Sequence, residues 1–85
     1  MEAEDHYKSV HFYIERLREL KRELRKYESE YEPEKVRSLI CAYKFTLRKI
    51  LYNGEAFLAI EKEDWDKLNE IDRIVIKYRD HLKSL

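Results

Sequence analysis

Three histidines, one cysteine and scattered carboxylates are the side chains of this chain that could support metal or acid–base chemistry. Di-iron bundles need a Glu-x-x-His spacing on facing helices, and that spacing does not occur here. His11 and Glu15 lie one helical turn apart and could supply two metal ligands, but no third ligand is apparent. His6 faces another direction, and His81 lies near the other end of the chain. The sequence therefore predicts no metal site and no cofactor, and we expect the histidines at the solvent or at helix ends.

Motifs for nucleophilic catalysis and phosphate binding are also missing from the sequence. Cys41 is the single cysteine, so it has no partner for an internal disulfide, and no histidine lies within helical reach of its thiol. We expect Cys41 to be a small buried residue on a helix face. The serines lack glycine-rich surroundings, and one glycine is too few for a phosphate-binding loop. These features favour a non-enzymatic protein without a small-molecule substrate.

Apolar residues repeat every three or four positions along the chain, as one face of an α-helix requires. The first stripe ends near Tyr31, and Pro33 fits the first turn of a second helix, where its missing N–H costs nothing. Asp64 fits the N-cap of a third helix whose stripe begins at Trp65. A single glycine and a single proline leave too few turn residues for a β-rich fold. The sequence predicts one all-α domain over 1–85, an antiparallel three-helix bundle with helices at about 5–29, 33–60 and 64–83.

The pair Asn53-Gly54 is typical of a turn, yet it lies inside the second predicted helix. The apolar spacing passes through the pair unchanged from Ile50 to Phe57. This continuity favours one long helix with Gly54 as a point of close contact, and a break at the pair is the alternative. A second alternative is a long helical hairpin that dimerises into a four-helix or larger bundle, because short chains often gain stability from oligomerisation.

The second predicted helix carries apolar side chains on two opposite sides. Tyr43 belongs to one apolar side of this helix. Phe45 follows it by two positions, about 200° around the helix, and so lies on the other side. A bundle of 85 residues has few elements with which to cover both sides. We therefore expect the second side to bind a partner, either a second copy of this chain or another helical protein. The expected partner-binding residues are Cys41, Phe45, Tyr52, Ala56 and Ala59.

Charged residues make up 42% of the chain and alternate in blocks, although the net charge is zero. Basic residues dominate 16–26, 35–52 and 73–85, and acidic residues dominate 1–15, 27–34 and 53–72. An up-down-up bundle gathers the three basic blocks at one end. Such blocks are most often a solvated, salt-bridged surface, and the functional alternative is a nucleic-acid-binding patch. The residues of that patch would be Arg18, Arg22, Arg25, Lys44 and Arg48. The zero net charge and the acidic block 27–34 disfavour it.

Residues 56–82 combine an apolar helix end, an acidic turn and an Asp-Trp-Asp-x-Leu start of the next helix. This pattern resembles the helix junction of the flagellar cap-protein export chaperones (FliT-like proteins). Two features depart from it: Glu63 replaces the usual small residue before the Asp-Trp pair, and the long first helix has no evident counterpart. The resemblance implies a small export-type chaperone that presents an apolar groove to a partner helix.

The expected compartment follows from what the sequence lacks. The acidic N-terminal residues do not form a signal peptide, and no apolar run approaches the roughly 20 residues that a membrane-spanning helix needs. A lone cysteine suits a reducing environment. We therefore expect a cytoplasmic protein that does not contact a membrane. Its wealth of Lys, Glu, Arg, Ile and Tyr, without any Gln, is typical of thermophilic proteins.

Overall fold

The computed structural model describes residues 2–85, which form three α-helices joined by short loops. The helices are α1 (Glu2–Ser29), α2 (Pro33–Ile60) and α3 (Trp65–Ser84). The loops span only residues 30–32 and 61–64, so consecutive helices run antiparallel. No strand occurs within residues 2–85. The predicted all-α, three-helix architecture is therefore confirmed.

The helix ends follow local sequence signals. Pro33 occupies the first turn of α2, and the Asp64 carboxylate accepts a hydrogen bond of 3.2 Å from the Lys67 backbone N–H, both as predicted. α1 begins at Glu2 rather than near residue 5, because three acidic side chains in its first turn favour the positive end of the helix. Tyr31 was wrongly included in the first apolar stripe. It lies in the loop with φ 55° and is 89% exposed, since the chain reverses direction there.

The core lies along one side of α2, which packs against both α1 and α3. Each large apolar side chain that is fully buried there contributes about 1.5–3 kcal/mol. The buried apolar residues are Val10, Ile14, Leu17, Leu20, Tyr43, Leu47, Ile50, Phe57, Ile71 and Val75. The first stripe of the second helix is thus the core face, as the sequence predicted.

α2 is continuous through Asn53-Gly54, so the alternative of a break at this pair is wrong. A Cβ atom on Gly54 would lie 2.6 Å from Val75 Cγ2 of α3 and 4.0 Å from Val10 Cγ2 of α1. Gly54 is therefore a point of close contact, tightest against α3, as predicted. The Asn53 side chain does not form a turn, because its Nδ2 donates to the Lys49 carbonyl within the helix.

α3 is too short to cover the whole length of α2. It has 20 residues and α2 has 28, a difference of about 12 Å at 1.5 Å per residue. Ile40 lies three positions before Tyr43, at the spacing of the core face, but it is consequently 39% exposed. Trp65 was wrongly placed in the core stripe, since at the first position of α3 it is 71% exposed. The molecule is elongated, with extents of 49 × 23 × 16 Å.

Candidate protein-interaction site

The five predicted partner-binding residues follow one side of α2, opposite the core. We name this side the outer face of α2, and it comprises Cys41, Phe45, Tyr52, Ala56 and Ala59. Phe45 is 57% exposed and Tyr52 is 65% exposed. Cys41 and Ala59 are also exposed, and Ala56 is half-buried. The expectation that Cys41 is buried is therefore wrong within a single copy of the chain. The face spans about 27 Å along the helix axis.

The surroundings of the outer face are basic. Lys49 Nζ lies 5.2 Å from the centre of the Phe45 ring, in a cation–π arrangement, and the neighbouring Arg48 is exposed. Glu55, about two turns beyond Arg48, pairs with Arg79 of α3 at 2.9 Å. The His6 ring of α1 meets the Tyr52 ring edge-on at 6.1 Å between centres. The face therefore presents two exposed aromatic rings with cationic side chains between them.

The structure brings together only part of the predicted nucleic-acid-binding set. Arg25 and Lys44 line one groove, together with Lys21 and the end of α3. Arg18 lines a neighbouring cleft with Lys21 and is paired with Glu15 of its own helix. Arg22 and Arg48 are exposed but border neither groove nor cleft. Basic side chains from all three helices thus line two adjoining clefts at one end of the bundle.

The three histidines contact neighbouring helices, which corrects the expected solvent or helix-end placement for His6 and His11 but not for His81. His6 Nδ1 donates to Asn53 Oδ1 at 2.8 Å, linking α1 to α2. His81 does lie in the last turn of α3, but its Nε2 shares a 2.7 Å hydrogen bond with the Tyr43 hydroxyl of α2. Burial raises the pKa of Tyr43. The histidines therefore join helices rather than face solvent freely.

The third histidine belongs to a polar contact between α1 and α3 that sequence reasoning missed. His11 Nε2 is shielded from solvent, forms no aligned hydrogen bond, and lies 3.2 Å from Glu70 Oε2. The Tyr7 hydroxyl donates to Glu70 Oε1 at 2.5 Å, which raises the pKa of Tyr7 to about 12. Within residues 2–85, no group of three or more His, Cys, Asp or Glu side chains could hold a metal ion. The contact therefore links α1 to α3 without offering a metal site.

Comparison with protein-family models, with curated proteins and with solved structures gives no match to this chain. The similarity of residues 56–82 to flagellar export chaperones therefore stays a prediction. Along the described part of the chain, no helix is both long and apolar enough to cross a membrane.

Proposed function

We propose that this protein is a non-enzymatic, cytoplasmic interaction module that binds a partner helix on the outer face of α2. The single observation that carries the proposal is the exposure of Phe45 and Tyr52, at 57% and 65%, on the side of α2 away from the core. Aromatic side chains of this kind are the commonest anchors of protein interfaces. Small side chains at Ala56 and Ala59 leave room for the backbone of an approaching helix. The exposed thiol of Cys41 on this face suits a reducing compartment.

The charge around the outer face indicates the kind of helix that fits it. Residues 35–52 contain five basic side chains and no acidic one. Arg48 and Lys49 lie midway between the two aromatic anchors, so an antiparallel pairing with a second copy would bring these cations together. Like charges across an interface are unfavourable, whereas acidic side chains would pair with them. The basic surroundings therefore favour an acidic amphipathic helix of another protein, with a homodimer through this face as the alternative.

Substitution of an anchor separates binding from folding. Phe45→Glu should raise the dissociation constant for the partner about 30-fold or more, because loss of a central aromatic anchor costs about 2 kcal/mol or more. The helical content should stay unchanged, since the Phe45 ring is 57% exposed and outside the core. Loss of the fold in this variant would make Phe45 a core residue and contradict the proposal. Circular dichroism distinguishes the two results.

Cys41 gives direct access to the occupant of the outer face, because it is the only cysteine and is exposed. A photo-activated crosslinker attached to this thiol, used in cell extract, should join the chain to a helical segment that mass spectrometry identifies. The crosslink should disappear with Phe45→Glu and persist with Phe12→Glu, a control at a comparably exposed aromatic of α1. Binding of the identified segment, remade as a peptide, then measures the dissociation constant. Equal crosslinking of both variants would contradict the proposal.

Two alternatives predict different outcomes. A nucleic-acid-binding role would use the basic end of the bundle, and it predicts binding that weakens steeply with salt. Absence of any mobility shift with DNA or RNA at low salt would eliminate it. An export-type chaperone would also receive a partner helix, so the identity of the crosslinked segment separates it from a subunit or adaptor of a permanent assembly.

A further inference from the structure

The hairpin formed by α1 and α2 extends beyond the end of α3. We name residues 24–40, where this extension lies, the hairpin tip. An open groove of about 570 Å³ runs along the tip between the two helices. Its apolar wall is formed by Tyr27, Tyr31, Pro33, Val36 and Ile40. These are the side chains that a longer third helix would cover.

The groove continues toward α3 without interruption. Glu28 and Ile40 border both it and a second groove, which reaches His81 and Leu85 at the end of α3. Basic side chains from α1 and α2 line this second groove, namely Lys21, Arg25 and Lys44. The surface beyond α3 is therefore mainly apolar at the tip, where Glu28, Glu32 and Arg37 also line the groove, and basic about one to two turns further back.

The tip carries the opposite charge in the loop at 30–32 and in the adjoining helix ends, and we name this segment the acidic loop. Glu28, Glu30, Glu32 and Glu34 lie within seven residues. In the described part of the chain only Glu32 of these four forms an ion pair, with Lys35 Nζ at 3.7 Å. Lys21, Arg25 and Lys44 form none within residues 2–85. Apart from the Glu32–Lys35 pair, each copy of the chain thus exposes acidic side chains at the tip and, behind them, basic groove residues that form no ion pair within residues 2–85.

From these features we infer that the hairpin tip binds the hairpin tip of a second copy, antiparallel and groove to groove. In this arrangement the acidic loop of each copy lies against the basic groove of the other, around residues 25 and 44. The apolar walls cover each other about a two-fold axis. A two-fold contact uses the same patch on both copies, so the patch must be self-complementary, and adjacent blocks of opposite charge satisfy this requirement.

This surface is separate from the outer face of α2. The tip groove lies on the side that α3 covers further along α2, and Phe45 and Tyr52 line neither groove. A dimer joined at the tips therefore leaves both outer faces open. It would present two partner-binding faces, one from each copy.

Charge exchange between copies tests the inference with the full chain. One variant carries Glu28→Lys and Glu32→Lys, which makes its loop basic. The other carries Arg25→Glu and Lys44→Glu, which makes its groove acidic. The mass by light scattering over a concentration series should be that of a dimer for the unchanged protein and of a monomer for each variant alone. An equal mixture of the variants should form dimers again, because both loop–groove contacts then join opposite charges.

Salt dependence and a variant of the outer face provide two further tests of the tip contact. Added salt should raise the dissociation constant of the unchanged dimer, since the exposed charges are screened. Phe45→Glu, which leaves the tip unaltered, should not change the mass. A monomer at every concentration would overturn the inference, and so would charge variants whose mixture stays monomeric while both remain helical. A dimer lost only with Phe45→Glu would overturn it and would identify a second copy as the occupant of the outer face.

Discussion

Replacement of Gly54 by alanine tests whether the three helices meet as closely as the structure shows. On an exposed helix, this change would stabilise the protein by about 1 kcal/mol, because alanine is the better helix former. At position 54 the new Cβ atom would lie 2.6 Å from Val75 Cγ2, whereas ordinary contact begins at 3.4 Å. Val75 or the α3 backbone must therefore move by nearly 1 Å.

The cost of that movement exceeds the gain in helix propensity. Val75 is 2% exposed and its branched side chain has one strongly preferred rotamer, so it cannot turn toward solvent. Overpacking of a core costs about 1–3 kcal/mol, and this rigid contact falls in the upper half of that range. We expect Gly54→Ala to lower the free energy of unfolding by about 1–2 kcal/mol. For a domain of this size the melting temperature falls by about 5–10 °C.

Urea unfolding followed by circular dichroism measures this change, and a double-mutant cycle assigns its cause. Val75→Ala alone removes buried methyl groups and destabilises the protein, but in the Gly54→Ala background it also removes the clash. The loss of unfolding free energy on Val75→Ala should therefore be smaller in the Gly54→Ala protein than in the unchanged protein, by about 1 kcal/mol or more. Ser38→Ala, on the exposed side of α2, is the control for helix propensity and should stabilise slightly. A Gly54→Ala protein that gains about 1 kcal/mol would refute the close packing of the helices.

Three further predictions concern polar contacts between helices and at helix ends. The pKa of Tyr7 is raised from the ordinary 10.0 to about 12 by its contact with Glu70. This contact therefore stabilises the fold fully below pH 10, and the stabilisation is lost as the pH rises to about 12. Tyr7→Phe should therefore flatten the decline of stability over this alkaline interval, as measured by urea unfolding. Backbone N–H groups of the α2–α3 loop donate to the Glu61 carboxylate and lower its pKa. Glu61→Ala should therefore accelerate amide hydrogen exchange at residues 62–64. An unchanged exchange rate would contradict this role of Glu61. Asp64→Ala should cost about 1 kcal/mol of stability by removing the N-cap bond to Lys67, and Asp64→Asn should retain most of it.

The sequence predicted the helices because each is specified by local signals. The three-four spacing, Pro33 and Asp64 act within one or two turns, and the structure confirms what they indicate. The close contact at Gly54 was also predictable, since an uninterrupted apolar spacing left no other reason for a turn pair inside a helix. Helix continuity and the core face of α2 could therefore be derived without a structure.

The exposure of Ile40 and the contact of Tyr7 with Glu70 depend on how the helices lie against each other, not on local sequence. Ile40 has the spacing of a core residue, but it lies where the shorter α3 no longer covers α2. The unequal lengths of the predicted second and third helices already carried that signal. The contact of Tyr7 with Glu70 joins residues far apart in sequence, so no local pattern could have indicated it.

The central claim is that a partner covers the outer face of α2, and the reactivity of the Cys41 thiol tests it most directly. Cys41 is exposed in a single copy of the chain, so a small alkylating reagent should modify the purified protein readily. In intact cells alkylation should be several-fold slower, because a bound partner covers the thiol. The combination of Phe45→Glu with Tyr52→Glu should restore the fast rate. Equal rates in cells and in the purified protein would show that the face is uncovered and would contradict the claim.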